Sequence, residues 1–328
     1  MINLIGDDIT VYRNKKFKDN KYGQGQVLLK VKDLPKKVDK TLELSSGQQY
    51  LLGQGLYHFR EGLLKAALSN KQSFKVILIL DNQVNAQELI DTMMTFGLLG
   101  GLGSRARKGW GSISIRSLAY TAQDRTLTKH AIPEDKQSYK AAIKQILSTL
   151  ADDLPPFTSF STHTRIDLSL SDSNSGVNLL TKIGSEMQLY RSYGKNNGGG
   201  HKVNVQDAEQ NFKDDHDLVL DFGHGKTVNS HPKRVVFGLP HNYFYSDKTK
   251  VDVNAESSRR ASPLMIHIHQ FPSGEAIAVQ SLMKAEFLPK NQGIQLQKGR
   301  KVQTVKSDID WGVISTYLER FKQGEQLL

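Results

Sequence analysis

Glycines and cations are concentrated in residues 98–115, which read Leu-Leu-Gly-Gly-Leu-Gly-Ser-Arg-Ala-Arg-Lys-Gly-Trp-Gly-Ser-Ile-Ser-Ile. Glycine permits positive φ angles and leaves no Cβ between the peptide N–H groups and a ligand. Arg105, Arg107 and Lys108 supply charged donors whose reach and geometry suit phosphate oxygens. The segment therefore predicts a loop that lies against an anionic ligand, most simply a chain of phosphates.

Two familiar phosphate-binding motifs do not fit this segment. A P-loop places Gly-Lys after four residues, whereas five residues separate Gly103 from Gly109 here, and Trp110 stands in place of the lysine. Gly101, Gly103 and Ala106 match a dinucleotide-binding pattern, but that motif leaves a strand and enters a helix. Here a helical pattern comes first and a strand pattern second. A plain glycine-rich helix end with solvated charges stays open as an alternative.

The composition narrows the class of protein. The 328 residues include 44 Lys and Arg against 33 Asp and Glu, a formal net charge of +11. Such an excess favours a nucleic acid or another polyanion as partner. Cysteine is absent, which excludes disulfides, thiolate metal sites and a cysteine nucleophile. Neither a signal peptide nor a long apolar run is present, so we expect a cytoplasmic protein.

The first half of the chain combines strand and helix patterns. Apolar residues at helical spacing predict helices, and β-branched runs between turn residues predict strands. The predicted strands are residues 9–12, 27–31, 73–80 and 110–116. The predicted helices are residues 86–99 and 139–150, and residues 62–68 are interpreted as part of a hairpin. Strand, helix, basic loop and strand form the second half of a ferredoxin-like β-α-β-β-α-β unit.

The second half repeats this mixture after Pro155 and Pro156, where we place the domain boundary. The predicted strands are residues 164–170, 257–269, 275–282 and 285–289. The predicted helices are residues 175–193 and 311–321, and the polar residues 194–217 are predicted to form a loop. The fold class is therefore α+β, with two related modules at residues 1–154 and 155–328.

A helix followed by Gly-Gly-Leu-Gly-Ser-Arg-Ala-Arg-Lys-Gly-Trp-Gly-Ser is similar to the glycine-rich loop of the RAMP superfamily. Members of that superfamily are ferredoxin-like (RRM-like) RNA-binding subunits of CRISPR effector complexes. Residues 50–53, 234–240 and 260–264 further resemble the family of first-numbered subunits of the type III-B Cmr complex. Those subunits have two RAMP modules and lie near the crRNA 3′ end.

The resemblance implies a non-catalytic RNA-binding subunit that acts in antiviral defence, without a metal or another cofactor. Its partners would be crRNA, target RNA and other subunits of the effector complex. The residues implied to contact the RNA backbone are Gly100, Gly101, Gly103, Ser104, Arg105, Arg107, Lys108 and Gly109 in the first module, and Arg259 and Arg260 in the second.

The chain departs from the family before Tyr50, where the usual first strand and Arg- and Trp-rich helix are missing. Either another chain supplies these elements or the first module is reduced.

Three alternative hypotheses stay open at the level of sequence. His267 and His269 alternate on a predicted strand and could hold a metal, although no third ligand is evident. A metal-independent RNA-processing endoribonuclease could use His58 or His241 beside Tyr57 or Tyr243 as acid and base. A protein-only assembly adaptor could dock its basic loop on an acidic neighbour. Trp110 is predicted to pack beneath its own loop rather than to stack on a base.

Overall fold

The computed structural model describes most of the chain. The described residues are 25–35, 38–39, 43–53, 55–68, 70, 72–148, 150–172, 175–194, 202–203, 205–256 and 259–328. The predicted strand at residues 9–12 and His201 lie outside them. The described residues form a mixed structure of helices and small antiparallel sheets, as expected for an α+β protein.

The helices are α1 (Ser46–Leu52), α2 (Ala86–Leu99), α3 (Lys136–Leu147), α4 (Gly176–Tyr190), α5 (Lys213–Gly223), α6 (Gly312–Leu318) and a 3₁₀ helix (Lys233–Phe237). The strands are β1 (Val27–Lys32), β2 (Val38–Asp39), β3 (Tyr57–His58), β4 (Gly62–Leu63), β5 (Ala67–Leu68), β6 (Lys75–Leu80), β7 (Leu118–Thr121), β8 (Leu127–His130), β9 (Thr164–Asp172), β10 (Lys202–Val203), β11 (Gln206–Asp207), β12 (His241–Phe244), β13 (Lys250–Ala255), β14 (Leu264–Gln270), β15 (Ala276–Met283), β16 (Ile294–Lys298), β17 (Lys301–Val305) and β18 (Glu325–Gln326). Within the described ranges, every helix is too short or too polar to cross a membrane.

The first compact unit comprises residues 1–43 and 54–96. Its main feature is the antiparallel pair of β1 and β6, in which Val27 lies opposite Leu80. Leu28, Leu29 and Ile79 are exposed on this ribbon. Residues 62–68 contain the short strands β4 and β5, so the segment is not a helix. The predicted hairpin with residues 73–80 is wrong, because β4 pairs with β3, β5 with β2, and β6 with β1.

The second compact unit comprises residues 44–53 and 97–328. Its larger core lies on an antiparallel sheet with strand order β14-β15-β9-β18. The elements follow one another along the chain as β9, α4, β14, β15, α6 and β18, with further elements inserted between them. Leu179, Ile183 and Met187 recur at helical spacing on α4 and are buried in this core. The predicted boundary at residue 154 lies inside this unit.

A second sheet in this unit has the strand order β12-β13-β16-β17. Val219 and Phe222 of α5 are buried in its core with Val251 and Val253 of β13. Two predictions are wrong here: residues 213–217 belong to α5 rather than to a loop, and residues 285–289 form no strand. The acidic first turn of α5 conceals its apolar stripe in the sequence.

The predicted strand at residues 110–116 is also wrong, because side chains rather than a backbone ladder hold this segment to the edge strand β14. The Ile268 N–H donates to Ser112 Oγ at 3.0 Å, and the Gln270 N–H donates to Ser114 Oγ at 2.9 Å. The Ile266 N–H donates to the Arg107 carbonyl at 3.0 Å. Outward N–H groups of an edge strand need such partners. The segment alternates like a strand because every second residue reaches β14.

Helix α1 crosses α4 at two glycines. A Cβ on Gly184 would lie 2.0 Å from the carbonyl oxygen of Gly47, so only glycine allows the two backbones to approach this closely. Ser45 caps α1 and donates from Oγ to Thr181 Oγ1 at 3.0 Å. The crossing fixes the C-terminal end of α1, where the Leu52 carbonyl lies beside the glycine-rich loop.

Candidate anion-binding site

The glycine-rich loop closes on itself. Gly103, Gly109 and Gly111 have φ angles of 97°, 80° and 76°. The Leu102 N–H donates to the Gly111 carbonyl at 2.8 Å. A Cβ on Gly101 would lie 3.0 Å from that carbonyl oxygen, and a Cβ on Gly109 would lie 2.6 Å from Leu180 Cδ2. Only open space surrounds the missing Cβ of Gly103. Gly101 and Gly109 are thus needed for packing, while Gly103 leaves room for a ligand.

The two loop arginines tie the loop to the rest of the second unit. Arg105 donates from Nε to the Leu52 carbonyl at the end of α1. Arg107 donates from Nη1 to the Ser262 carbonyl at 3.1 Å, and burial lowers the pKa of its guanidinium. Ser104, which lies between α2 and Arg105 along the chain, is exposed.

Lys108 lies half-buried at the centre of positive charge. Its Nζ atom is 4.0 Å from Met187 Sδ on α4. Burial, followed by the charges of Arg191, Arg105 and Arg107, lowers the pKa of its amine to about 7. Every charged group that shifts this pKa is a cation, so the site offers Lys108 no compensating carboxylate among the residues that the structure describes.

Three elements of the second unit bring further polar side chains to Lys108. Arg191 follows α4, and its guanidinium carbon lies 4.6 Å from the Phe237 ring centroid. Arg234 lies on the 3₁₀ helix, and His241 and Tyr243 lie on the same face of β12 because they alternate with the exposed Asn242 and Phe244. We name this group the Lys108 cluster: Lys108, Arg191, Arg234, His241 and Tyr243.

Burial and the positive charges of the cluster determine the protonation states of His241 and Tyr243. Burial and the charges of Arg191, Arg234 and Lys108 hold the pKa of His241 well below its usual value, so its ring is neutral. Burial raises the pKa of Tyr243 to about 12, so its hydroxyl keeps its proton. The carboxylate that acts on the cluster is Asp215, next to Arg234.

Both carboxylate oxygens of Asp215 accept hydrogen bonds from the backbone. Its two oxygens accept the N–H groups of Lys233 and Arg234 at 2.8 and 2.7 Å, where they cap the 3₁₀ helix. Burial raises the pKa of this carboxyl, while the two hydrogen bonds lower it. Asp215 thus positions Arg234 through its backbone.

Several buried atoms of the cluster have no hydrogen-bond partner in the described part of the chain. They are Arg191 Nε, Arg234 Nε, His241 Nδ1 and the Tyr243 hydroxyl. Buried polar groups are normally paired, so these atoms identify a place where a polar ligand would be accepted.

The structure brings together basic residues that the sequence assigned to separate modules. Arg260 donates from Nη2 to the Glu286 carbonyl at 3.0 Å and lies 5.5 Å from the Phe287 ring centroid. Burial and then the charge of Arg107 lower the pKa of Arg260. Arg259 is exposed. Sequence reasoning missed Arg191 and Arg234, although Arg191 lies in the last turn of a predicted helix and Arg234 belongs to a segment that resembles the Cmr family.

The histidine pair of β14 belongs to the core. The rings of His267 and His269 lie 5.8 Å apart, and burial lowers their pKa values to about 3 and about 4. Groups of three or more potential metal ligands are absent from the described residues. Trp110 packs against the larger core, as predicted. His58 lies in the first unit with Nδ1 3.6 Å from Glu61 Oε1.

The site therefore combines a positively charged loop, fixed arginines and unpartnered donors, which is chemistry suited to anions. Neither protein-family models nor curated protein sequences match this chain. Function is accordingly inferred from the residues of the second unit and their geometry.

Proposed function

We propose that the protein is a non-catalytic RNA-binding subunit of a type III-B CRISPR ribonucleoprotein. In this role the glycine-rich loop would position the crRNA 3′ end or the paired target RNA. The observation that carries the proposal is the electrostatic environment of Lys108, whose pKa is shifted only by burial and by other cations. Partly buried cations without counter-charges are costly to maintain. An RNA backbone would supply the missing negative charge.

The topology of the second unit supports the RAMP part of the proposal. Strand, helix, strand, strand, helix and strand follow one another as β9, α4, β14, β15, α6 and β18. This succession is the one that a ferredoxin-like module has, and all pairings in its sheet are antiparallel. The proposal includes a first RAMP module that lacks its initial strand and helix, either because another chain supplies them or because the module is reduced.

The proposed mechanism is electrostatic positioning. Contacts to phosphate fix the register and orientation of a nucleic acid without reading its sequence. Base pairing between guide and target would carry the specificity, as in other RNA-guided systems. Other subunits of the effector complex would then be the protein partners.

RNA binding across a salt series tests this proposal. We expect labelled crRNA to bind in EDTA with an affinity that falls steeply with salt, and Lys108→Gln to reduce the slope by about one unit. Arg300→Ala removes the same charge from the exposed turn between β16 and β17 and is the matched control. An identical salt slope for wild type and Lys108→Gln would refute the role of the loop. Urea unfolding of each variant verifies that the fold is retained.

A specific observation favours a second function, that of a metal-independent endoribonuclease. His241 and Tyr243 lie on one face of β12, and the charge of Lys108 acts on His241. A neutral imidazole can accept the proton of a 2′-hydroxyl that attacks the adjacent phosphate, provided that the bound phosphate offsets the cations that lower the pKa of His241. Cleavage of repeat RNA in EDTA, abolished by His241→Ala, would establish this function. Tight protein association without salt-sensitive RNA binding would instead establish the adaptor.

A further inference from the structure

The Lys108 cluster contains more buried donors than the protein itself satisfies. Arg191 Nε and Arg234 Nε each carry a hydrogen that has no acceptor among the described residues, and the same holds for the Tyr243 hydroxyl. These atoms come from the end of α4, the 3₁₀ helix and β12, so separate elements rather than one flexible loop supply them. Arg191 and Arg234 lie close enough to both His241 and Tyr243 for their charges to act on them.

We infer that the Lys108 cluster is a phosphate-binding site, in which Arg191, Arg234 and the Tyr243 hydroxyl donate to one phosphate group and Lys108 adds a positive charge. The inference deepens the proposed function, on which it rests, because it assigns residues outside the glycine-rich loop to the bound ligand.

Two other half-buried arginines of the second unit are paired with carboxylates, unlike Arg191 and Arg234. Arg320 donates to Glu186 and to both carboxylate oxygens of Glu209. Arg165 donates to both oxygens of Asp167, at 2.9 and 3.0 Å. These two half-buried arginines are thus matched by carboxylates, whereas Arg107 and Arg260 donate to backbone carbonyls. At the cluster, Asp215 already accepts two backbone N–H groups, so an external anion is the expected partner.

A phosphate fits these donors better than a carboxylate does. Its oxygens point in several directions and can accept from donors on different elements, whereas a carboxylate accepts within one plane. The cluster also holds its donors in place: the Arg191 guanidinium lies over Phe237, and Asp215 fixes the backbone at Arg234. Such fixed donors lose little freedom when a ligand binds.

The phosphate could be a backbone phosphodiester of RNA or a terminal phosphate monoester. Both kinds of phosphate present acceptor oxygens to the cluster. A terminal phosphate, unlike a phosphodiester, resembles the phosphate of a free nucleotide or inorganic phosphate. Binding of the same RNA with a 3′-phosphate, a 5′-phosphate or hydroxyls at both ends distinguishes the sources. A preference for one phosphorylated end identifies the monoester, and equal affinities identify the phosphodiester.

Tyr243→Phe is the decisive variant. The Tyr243 hydroxyl has no partner in the described residues, so removing it should not lower the stability of the ligand-free protein. Loss of a donor to a charged ligand should weaken binding of RNA by roughly tenfold. The matched control is Tyr245→Phe, whose hydroxyl donates to the His216 carbonyl at 2.9 Å. The control should lower stability and leave RNA affinity unchanged.

Thermal unfolding with inorganic phosphate, against chloride at equal ionic strength, adds a readout that is independent of RNA. If the cluster binds the monoester, phosphate should stabilise wild type more than Tyr243→Phe. Salt-dependent RNA binding that Tyr243→Phe and Arg191→Gln both leave unchanged would overturn the inference and spare the proposed function. Phosphate stabilisation that depends on Tyr243, without RNA binding, would support the site and refute the proposed function.

Discussion

His267 Nδ1 lies 2.7 Å from the carbonyl oxygen of Gly100, where α2 gives way to the glycine-rich loop. Because burial lowers the pKa of His267 to about 3, the ring is neutral and Nδ1–H donates to this carbonyl. The bond joins the edge strand β14 to the first residue of the loop. The sheet therefore fixes the point from which the loop departs.

We predict that His267→Phe lowers the free energy of unfolding by about 1–3 kcal/mol at pH 7, because the Gly100 carbonyl loses its donor. The folded pKa of about 3 lies below the ordinary 6.5, so the unfolded chain binds the extra proton between these values. Wild type should therefore lose stability as the pH falls from 6.5 towards 3, and the variant should lose less. Urea unfolding at pH 7 and pH 4.5 measures both effects, and a constant difference between the proteins would contradict the prediction.

Ser112 should contribute to stability although it lies outside every strand. Its Oγ accepts the Ile268 N–H at 3.0 Å and donates to the Gly109 carbonyl at 2.9 Å. Ser112→Ala leaves both backbone groups without these partners, which should cost about 1–3 kcal/mol in urea unfolding. Ser104→Ala, at an exposed position of the same loop, is the control and should be neutral. Equal stabilities of the two variants would show that the hydroxyl does not cover the edge of β14.

Alanine at Gly109 and at Gly103 should separate packing from backbone strain. Both glycines have positive φ, at which any Cβ is disfavoured. Gly103→Ala adds its Cβ to open space and should cost about 1 kcal/mol. Gly109→Ala drives a Cβ against Leu180 and Ile266, so its loss should exceed that of Gly103→Ala by at least about 1 kcal/mol. A smaller loss in urea unfolding for Gly109→Ala would disprove the close packing.

Elements with a strong apolar period were predictable from the sequence. Helix α2 occupies residues 86–99, as predicted, and α4 and α6 lie within their predicted ranges. The strand prediction for residues 110–116 was wrong because serine hydroxyls, rather than backbone groups, pair with β14. This pairing depends on the distance of the segment from β14, which the sequence does not give. Helix α5 was missed because its acidic first turn, with Asp214 and Asp215, obscures Val219 and Phe222.

The sequence predicted the loop residues of the candidate site but not the residues that surround the loop. Arg105, Arg107 and Lys108 attract attention as a basic run between glycines, yet Arg105 and Arg107 also hold neighbouring carbonyls. Arg191 and Arg234 are isolated cations in the sequence. Only the folding of the second unit brings the end of α4, the 3₁₀ helix and β12 near Lys108, and no local pattern encodes such an encounter.

RNA affinity should depend on pH through Lys108. Burial is the main cause that lowers its pKa to about 7, and the charges of Arg191 after α4 and of Arg105 and Arg107 in the loop lower it further. His241 on β12 titrates far below this range. Bound phosphate restores the favourable field and raises the lysine pKa, so above pH 7 binding must take up a proton.

Affinity should therefore fall by up to about tenfold per pH unit between pH 7 and 9, a range in which RNA phosphodiesters do not titrate. Lys108→Arg keeps the charge at every pH and should remove this dependence. Lys298→Arg, in a lysine that donates to the Gly223 carbonyl, is the control and should retain it. RNA binding at constant ionic strength across this range is the measurement. A wild-type affinity that does not change with pH, or a pH dependence that survives in Lys108→Arg, would show that Lys108 does not change its protonation when RNA binds.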